Sequence, residues 1–192
     1  CSTSFAFALL ISIPQAFAGP LSPNVIYGDD DRIDYYQVTD ARVRSTADST
    51  VALIRTANLS QNGNVTLINT VPYGQGMGLC PNEPFFNQET AAFCSGFLVS
   101  PDTVVTAGHC ISDLNGCMNT RFVFGFRLDQ KDVNPRSVPS AHVYNCAKVV
   151  HSVSQPKGED FAVVKLDRAV TEFAPLAYRS AGQVSAGAAL YV

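Results

Sequence analysis

The chain has 192 residues, of which 46% are hydrophobic and only 15% charged, and its net charge is −3. That is enough apolar material for one large β-domain or two small ones. No basic stripe exists to displace counterions from phosphates, which excludes a nucleic-acid binder.

The first stretch with a pattern is FAFALLISIPQAFA (5–18), an apolar run ending in Ala16-Phe17-Ala18. It is too short for a membrane span, and the small-x-small ending reads as the tail of a secretory signal peptide over residues 1–18, without its basic start. A buried helix is the competing reading. Cys1 precedes the apolar run rather than following it, which argues against a lipid-modified cysteine. An export signal implies an oxidising compartment, outside the cell or in a periplasm. Without residues 1–18 there remain Cys80, Cys94, Cys110, Cys117 and Cys146, an odd number, so one thiol is free or its partner lies elsewhere. No Cys-x-x-Cys or His-x-x-x-His spacing supports zinc, and no metal is expected.

Residues 19–48 are polar and read as a short pro-segment and N-terminal arm. Asp29, Asp30 and Asp31 stand together there. They lack the alternating oxygen ligands and the later Glu of a calcium loop, so a solvated turn is expected.

From Ser49 onward the pattern changes to short β-branched runs. TVALIRT (50–56), NVTLINT (64–70), SGFLVS (95–100), TVVTA (103–107), RFVFGFR (121–127), AKVVHS (147–152) and FAVVKL (161–166) read as strands. The turns lie at Gly63, Pro101-Asp102, Gly116 and 156–158. The segment 60–64 is expected to join the first two strands as a hairpin. One short helical turn is expected after His109. Many short strands at regular spacing predict an all-β barrel or sandwich. The last residues, GAALYV (187–192), look like the opening of another strand, so the chain reads as a fragment at both ends.

Three features carry chemistry. His109 sits in a corner after an apolar run, within FCSGFLVSPDTVVTAGHC (93–110). Asp160 stands at the mouth of a strand in GEDFAVVKLDR (158–168). Cys94 and Cys110 bracket the strand pair that leads to His109, and a bridge between them would staple the loop holding the imidazole. A histidine acting as a base must hold one tautomer, and a carboxylate accepting from its Nδ1–H fixes that tautomer and stabilises the imidazolium.

Other polar residues have plainer explanations. His142 and His151 read as isolated. Asp102 reads as a turn residue, Asp113 as a cap or solvated acid, and Asp167 as lying at the far end of its strand from Asp160. Cys117 and Cys146 flank RFVFGF and are candidates for a second bridge. That would leave Cys80 without a partner, although spacing alone does not fix connectivity. Asn58-Leu59-Ser60 and Asn64-Val65-Thr66 match glycosylation acceptors, a pattern frequent by chance.

TAGHC (106–110), with CSGFLVS (94–100) before it and DFAVVKL (160–166) after, resembles the chymotrypsin-like serine peptidases over roughly residues 51–192. The resemblance implies two antiparallel β-barrels with a site in the cleft between them, of which this chain holds the first barrel and the start of the second. It implies His109 as general base, Asp160 as its orienting acid and Cys94–Cys110 as the bridge beside the site. It further implies a protein or peptide substrate, a monomer, and no cofactor. NVIYGDDDR (24–32) is similar to the mature start of the bacterial glutamyl-endopeptidase branch, which would make Val25 a mature N-terminus that assists substrate recognition. The chain departs from the family in one respect: no Gly-x-Ser-Gly nucleophile motif occurs in it. Ser180 and Ser185 come too early and in the wrong context to take that place. The expectation is therefore an enzyme in its full-length form and an inactive fragment here. A non-catalytic barrel that binds a protein partner is the alternative. A disulfide-rich adhesion or lectin-like sandwich would leave TAGHC and Asp160 as coincidence.

Overall fold

The computed structural model describes residues 30–188. The signal-like run, Val25 and the final four residues lie outside the described residues. The chain divides into two compact units, Cys1–Arg32 and Ile33–Val192. In the first, the described part is short, and Arg32 is paired with Asp30.

Among its described residues the second unit contains eleven strands: β1 (Thr50–Arg55), β2 (Leu59–Asn62), β3 (Val65–Ile68), β4 (Val71–Pro72), β5 (Glu89–Thr90), β6 (Ala92–Ser100), β7 (Thr103–Thr106), β8 (Thr120–Phe124), β9 (Ser137–Pro139), β10 (Val143–Ser154) and β11 (Asp160–Leu166). Six of them close a barrel in the order β1-β6-β7-β11-β10-β8, with every neighbouring pair antiparallel. Closure removes the exposed strand edges that an open sheet would offer to other chains.

The barrel interior follows from alternation. Val51 and Leu53 of β1, Leu98 of β6, Val104 of β7, Phe122 and Phe124 of β8, and Ala162, Val164 and Leu166 of β11 meet in one core. Phe122 and Phe124 are fully buried, and each contributes about 1.5–3 kcal/mol by leaving water. A smaller cluster of Ile54, Ile68, Val123 and Val138 lies where the three-stranded sheet β2-β3-β9 meets the barrel wall.

The turn Asn62-Gly63 does make a hairpin, but it joins β2 to β3, and β1 pairs with β6 and β8 instead. The expected hairpin between the first two apolar runs gives way because β1 is apolar on both sides of a bulge at Leu53/Ile54 and belongs to the core. The polar LSQN segment of β2 carries too little apolar pattern to register as a strand in the sequence. The arm also contains a helix, α1 (Ala41–Asp48), capped by the Asp40 carboxylate, which accepts from the Arg42 amide at 2.8 Å. The arm is fastened through Tyr35. Its hydroxyl donates to Asp48 at 2.9 Å, and its ring lies under the Arg127 guanidinium at 3.7 Å. Among the described residues the other α-helices are α2 (Tyr73–Met77) and α3 (Leu114–Met118). The helical turn expected at HCISDL (109–114) lies further on: α3 begins only at Leu114, and it contains Gly116, which the sequence suggests is a turn. Asp113 caps it, accepting from the Gly116 amide at 2.7 Å.

After β11 the chain runs back across the barrel. Val170 N–H donates to Pro101 O, Leu176 N–H to Leu98 O, and Ser49 Oγ to Ala174 O. Phe173 stacks on Phe124 at 5.0 Å between ring centres. Among the described residues, no helix is long and apolar enough to cross a membrane.

Candidate active site

Each residue of the TAGHC stretch has a separate physical task. Thr106 ends β7, and its buried hydroxyl donates to the Ser95 carbonyl at 2.7 Å, tying β7 to β6. The Ala107 carbonyl accepts from the Cys110 amide at 3.1 Å, which turns the chain around His109. Gly108 passes so close to β10 that a Cβ there would lie 1.9 Å from the Val153 carbonyl oxygen. Cys110 is bonded to Cys94 of β6, fixing the far side of the loop. The preceding CSG segment is explained by the same crowding. A Cβ on Gly96 would lie 2.8 Å from the Val105 carbonyl oxygen, where β6 and β7 cross closely.

His109 is thus presented at the surface, with its side chain 65% exposed. Asp160 is the first residue of β11, beside β7 in the barrel. One oxygen of its carboxylate accepts from the His109 backbone amide at 2.9 Å, and the other lies 2.6 Å from His109 Nδ1. An ionised carboxylate only accepts, so Nδ1 carries the proton and Nε2 is the basic nitrogen. Among the described residues no group is bound to Nε2. The Asp160 carboxyl is held below its ordinary range, first by the bond from the His109 ring and next by the bond from the His109 amide.

A second disulfide, Cys117–Cys146, ties α3 to β10, and Cys80 is free and exposed. Cys94, Cys110 and His109 cluster in a way that resembles a ligand set. The two sulfurs are already spent on the disulfide and offer no thiolate to a metal.

The other acids and histidines fall away from this pair. Asp102 holds its turn by accepting from Lys165 Nζ at 2.7 Å, and from Thr103 and Ser100. Asp167 accepts from the Asn145 amide at 3.0 Å. His151 is exposed in the middle of β10. His142 is not isolated, as its sequence context suggests. Its Nε2 lies 3.0 Å from the Glu172 carboxylate, and its ring meets Phe173 edge-on. Glu172 comes from the returning segment after β11, thirty residues on, a pairing that no local pattern reveals.

The trypsin family model matches residues 80–192. The chain belongs to the trypsin family. The match includes both His109 and Asp160, five of the six barrel strands and all four bonded cysteines. It begins at Cys80, so β1 completes the barrel from sequence upstream of the matched region. A comparison with the curated proteins finds no match.

Proposed function

We propose that this chain is part of a secreted serine endopeptidase, with His109 as the general base and Asp160 as the carboxylate that orients it. The observation that carries the reading is the double grip of Asp160 on His109, ring and backbone together. The ring bond selects the tautomer with a free, basic Nε2. The backbone bond fixes where the ring stands relative to β11. In this arrangement Nε2 takes a proton from a serine hydroxyl as that oxygen attacks a peptide carbonyl. Asp160 stabilises the imidazolium so formed. The imidazolium then returns the proton to the leaving amine, and water resolves the acyl-enzyme by the same route.

The serine that completes the set is a Gly-x-Ser-Gly serine, and this chain contains none. The proposal therefore concerns the full-length protein, and the polypeptide of residues 1–192 alone is expected to be inactive, because such residues act as a unit. The same reading takes residues 1–18 as an export signal, 19–48 as pro-segment and arm, and 49–192 as part of the peptidase domain. Val25 would be the mature N-terminus. Its substrate is a protein or peptide.

The test is labelling of the full-length protein with a serine-reactive fluorophosphonate, together with the His109→Ala variant. Labelling that depends on His109 supports the peptidase. A folded full-length protein that never labels would move the reading to a non-catalytic barrel binding a partner.

A further inference from the structure

Three consecutive residues of β10 meet the His109–Asp160 pair from below. Ser152, Val153 and Ser154 lie opposite Ala162, Phe161 and Asp160 in the β10–β11 ladder. The Ser152 hydroxyl donates to the carbonyl of Ile111 at 2.8 Å. Ile111 is fully buried and lies two residues beyond His109, so this bond holds the outgoing side of the histidine loop. The Val153 carbonyl fills the space that a side chain on Gly108 would need, so it holds the incoming side. Ser154 stands directly across the ladder from Asp160. A register shift at Val149/His151 precedes the trio. Such a bulge bends a strand and re-aims the residues that follow it.

We propose that Ser152, Val153 and Ser154 form a seat for the His109–Asp160 pair, with the Ser152 hydroxyl as its principal positioning group. Neither serine touches a reacting atom. Ser152 acts through Ile111 on the loop that aims the imidazole, and Ser154 acts on the carboxylate. The Ser154 side chain also helps to keep the Asp160 carboxyl in its charged form. The catalytic meaning of the seat rests on the function proposed above, but its effect on the pair does not.

The experiment is a pH titration of the Asp160 carboxyl carbon by NMR in the full-length protein. Ser152→Ala is expected to raise its midpoint toward the ordinary carboxylate range, because a loosened loop weakens both bonds from His109. Ser152→Thr keeps a hydroxyl and should restore the low midpoint. An unchanged midpoint in Ser152→Ala, or no restoration by threonine, overturns the proposal. Should Ser152→Ala fail to fold, Ser154→Ala decides. A raised midpoint there supports the seat and an unmoved one removes it. The titration does not depend on the serine nucleophile, so a protein that fails to label with a fluorophosphonate yet shows these shifts would sink the peptidase reading and leave the seat standing.

Discussion

Gly108 and the carbonyl of Val153 are packed so tightly that no larger residue fits between the histidine loop and β10: a Cβ would stand 1.9 Å from the oxygen and 3.1 Å from Asp160 Oδ1. The neighbour is backbone paired to Phe161 near the end of β10 and cannot swing aside as a side chain would. Gly108→Ala is therefore expected to lose about 1–3 kcal/mol by overpacking and to push His109 off Asp160. Thermal unfolding would show the first effect. Loss of the downfield Nδ1–H proton resonance of His109 would show the second.

Asp160→Asn keeps the shape of the side chain but replaces one of its two acceptor oxygens with an NH2 donor, so it cannot accept from both the His109 amide and Nδ1–H. Under the peptidase reading proposed above, the expected loss in kcat of the full-length protein is on the order of 10⁴-fold with folding intact. Steady-state kinetics beside a thermal melt would separate the two. A variant that retains near-normal kcat would remove Asp160 from the mechanism.

The acid side of the stability curve should carry the signature of Glu89. Its carboxyl is mostly buried, with 11% of the side chain exposed. Bonds from the Arg136 guanidinium, and then from the Thr70 hydroxyl, lower it from its ordinary 4.5 to about 2. A carboxyl with a depressed value in the folded state stabilises the fold at pH above its unfolded value. That contribution is lost as pH falls through the folded value. Wild-type stability should thus decline between about pH 4.5 and pH 2 more steeply than that of Glu89→Gln, as read by urea unfolding across that window. Parallel curves would exclude the contribution.

The Cys117–Cys146 bridge closes a loop of separation 29 between α3 and β10. Replacing both cysteines by alanine is expected to cost roughly 3–4 kcal/mol by restoring entropy to the unfolded chain. Denaturant unfolding of the double variant measures it directly.

Strand content was legible because the barrel strands alternate. TVVT and DFAVVKL place Val104, Ala162 and Val164 inward, and each run stands out in the sequence. Pairing was less legible. The partners of β1 were not, because nothing in TVALIR says that it skips the neighbouring LSQN and VTLI to pair with residues far along the chain. The short strands β4, β5 and β9 have two or three residues each, below the length at which a period can be seen. Helix α1 does not show in the sequence because ARVRSTAD carries little apolar pattern and is held instead by its Asp40 cap and by Tyr35 on Asp48. At the site, His109 and Asp160 stood out by context, and the structure brings them together. The supporting serines did not, because Ser152 and Ser154 acquire meaning only from what β10 lies against.

The position of β1 has a consequence for how the chain reaches its fold. Both of its barrel partners come late, β6 beginning at Ala92 and β8 at Thr120. During synthesis β1 therefore emerges first and waits, its apolar residues exposed, while the excursion from Thr56 to Ala91 is completed. Contacts this distant in sequence slow the search for the native state. An early β1 without its partners is the segment most open to capture by another chain, and the folding yield should be most sensitive to what protects it in that interval.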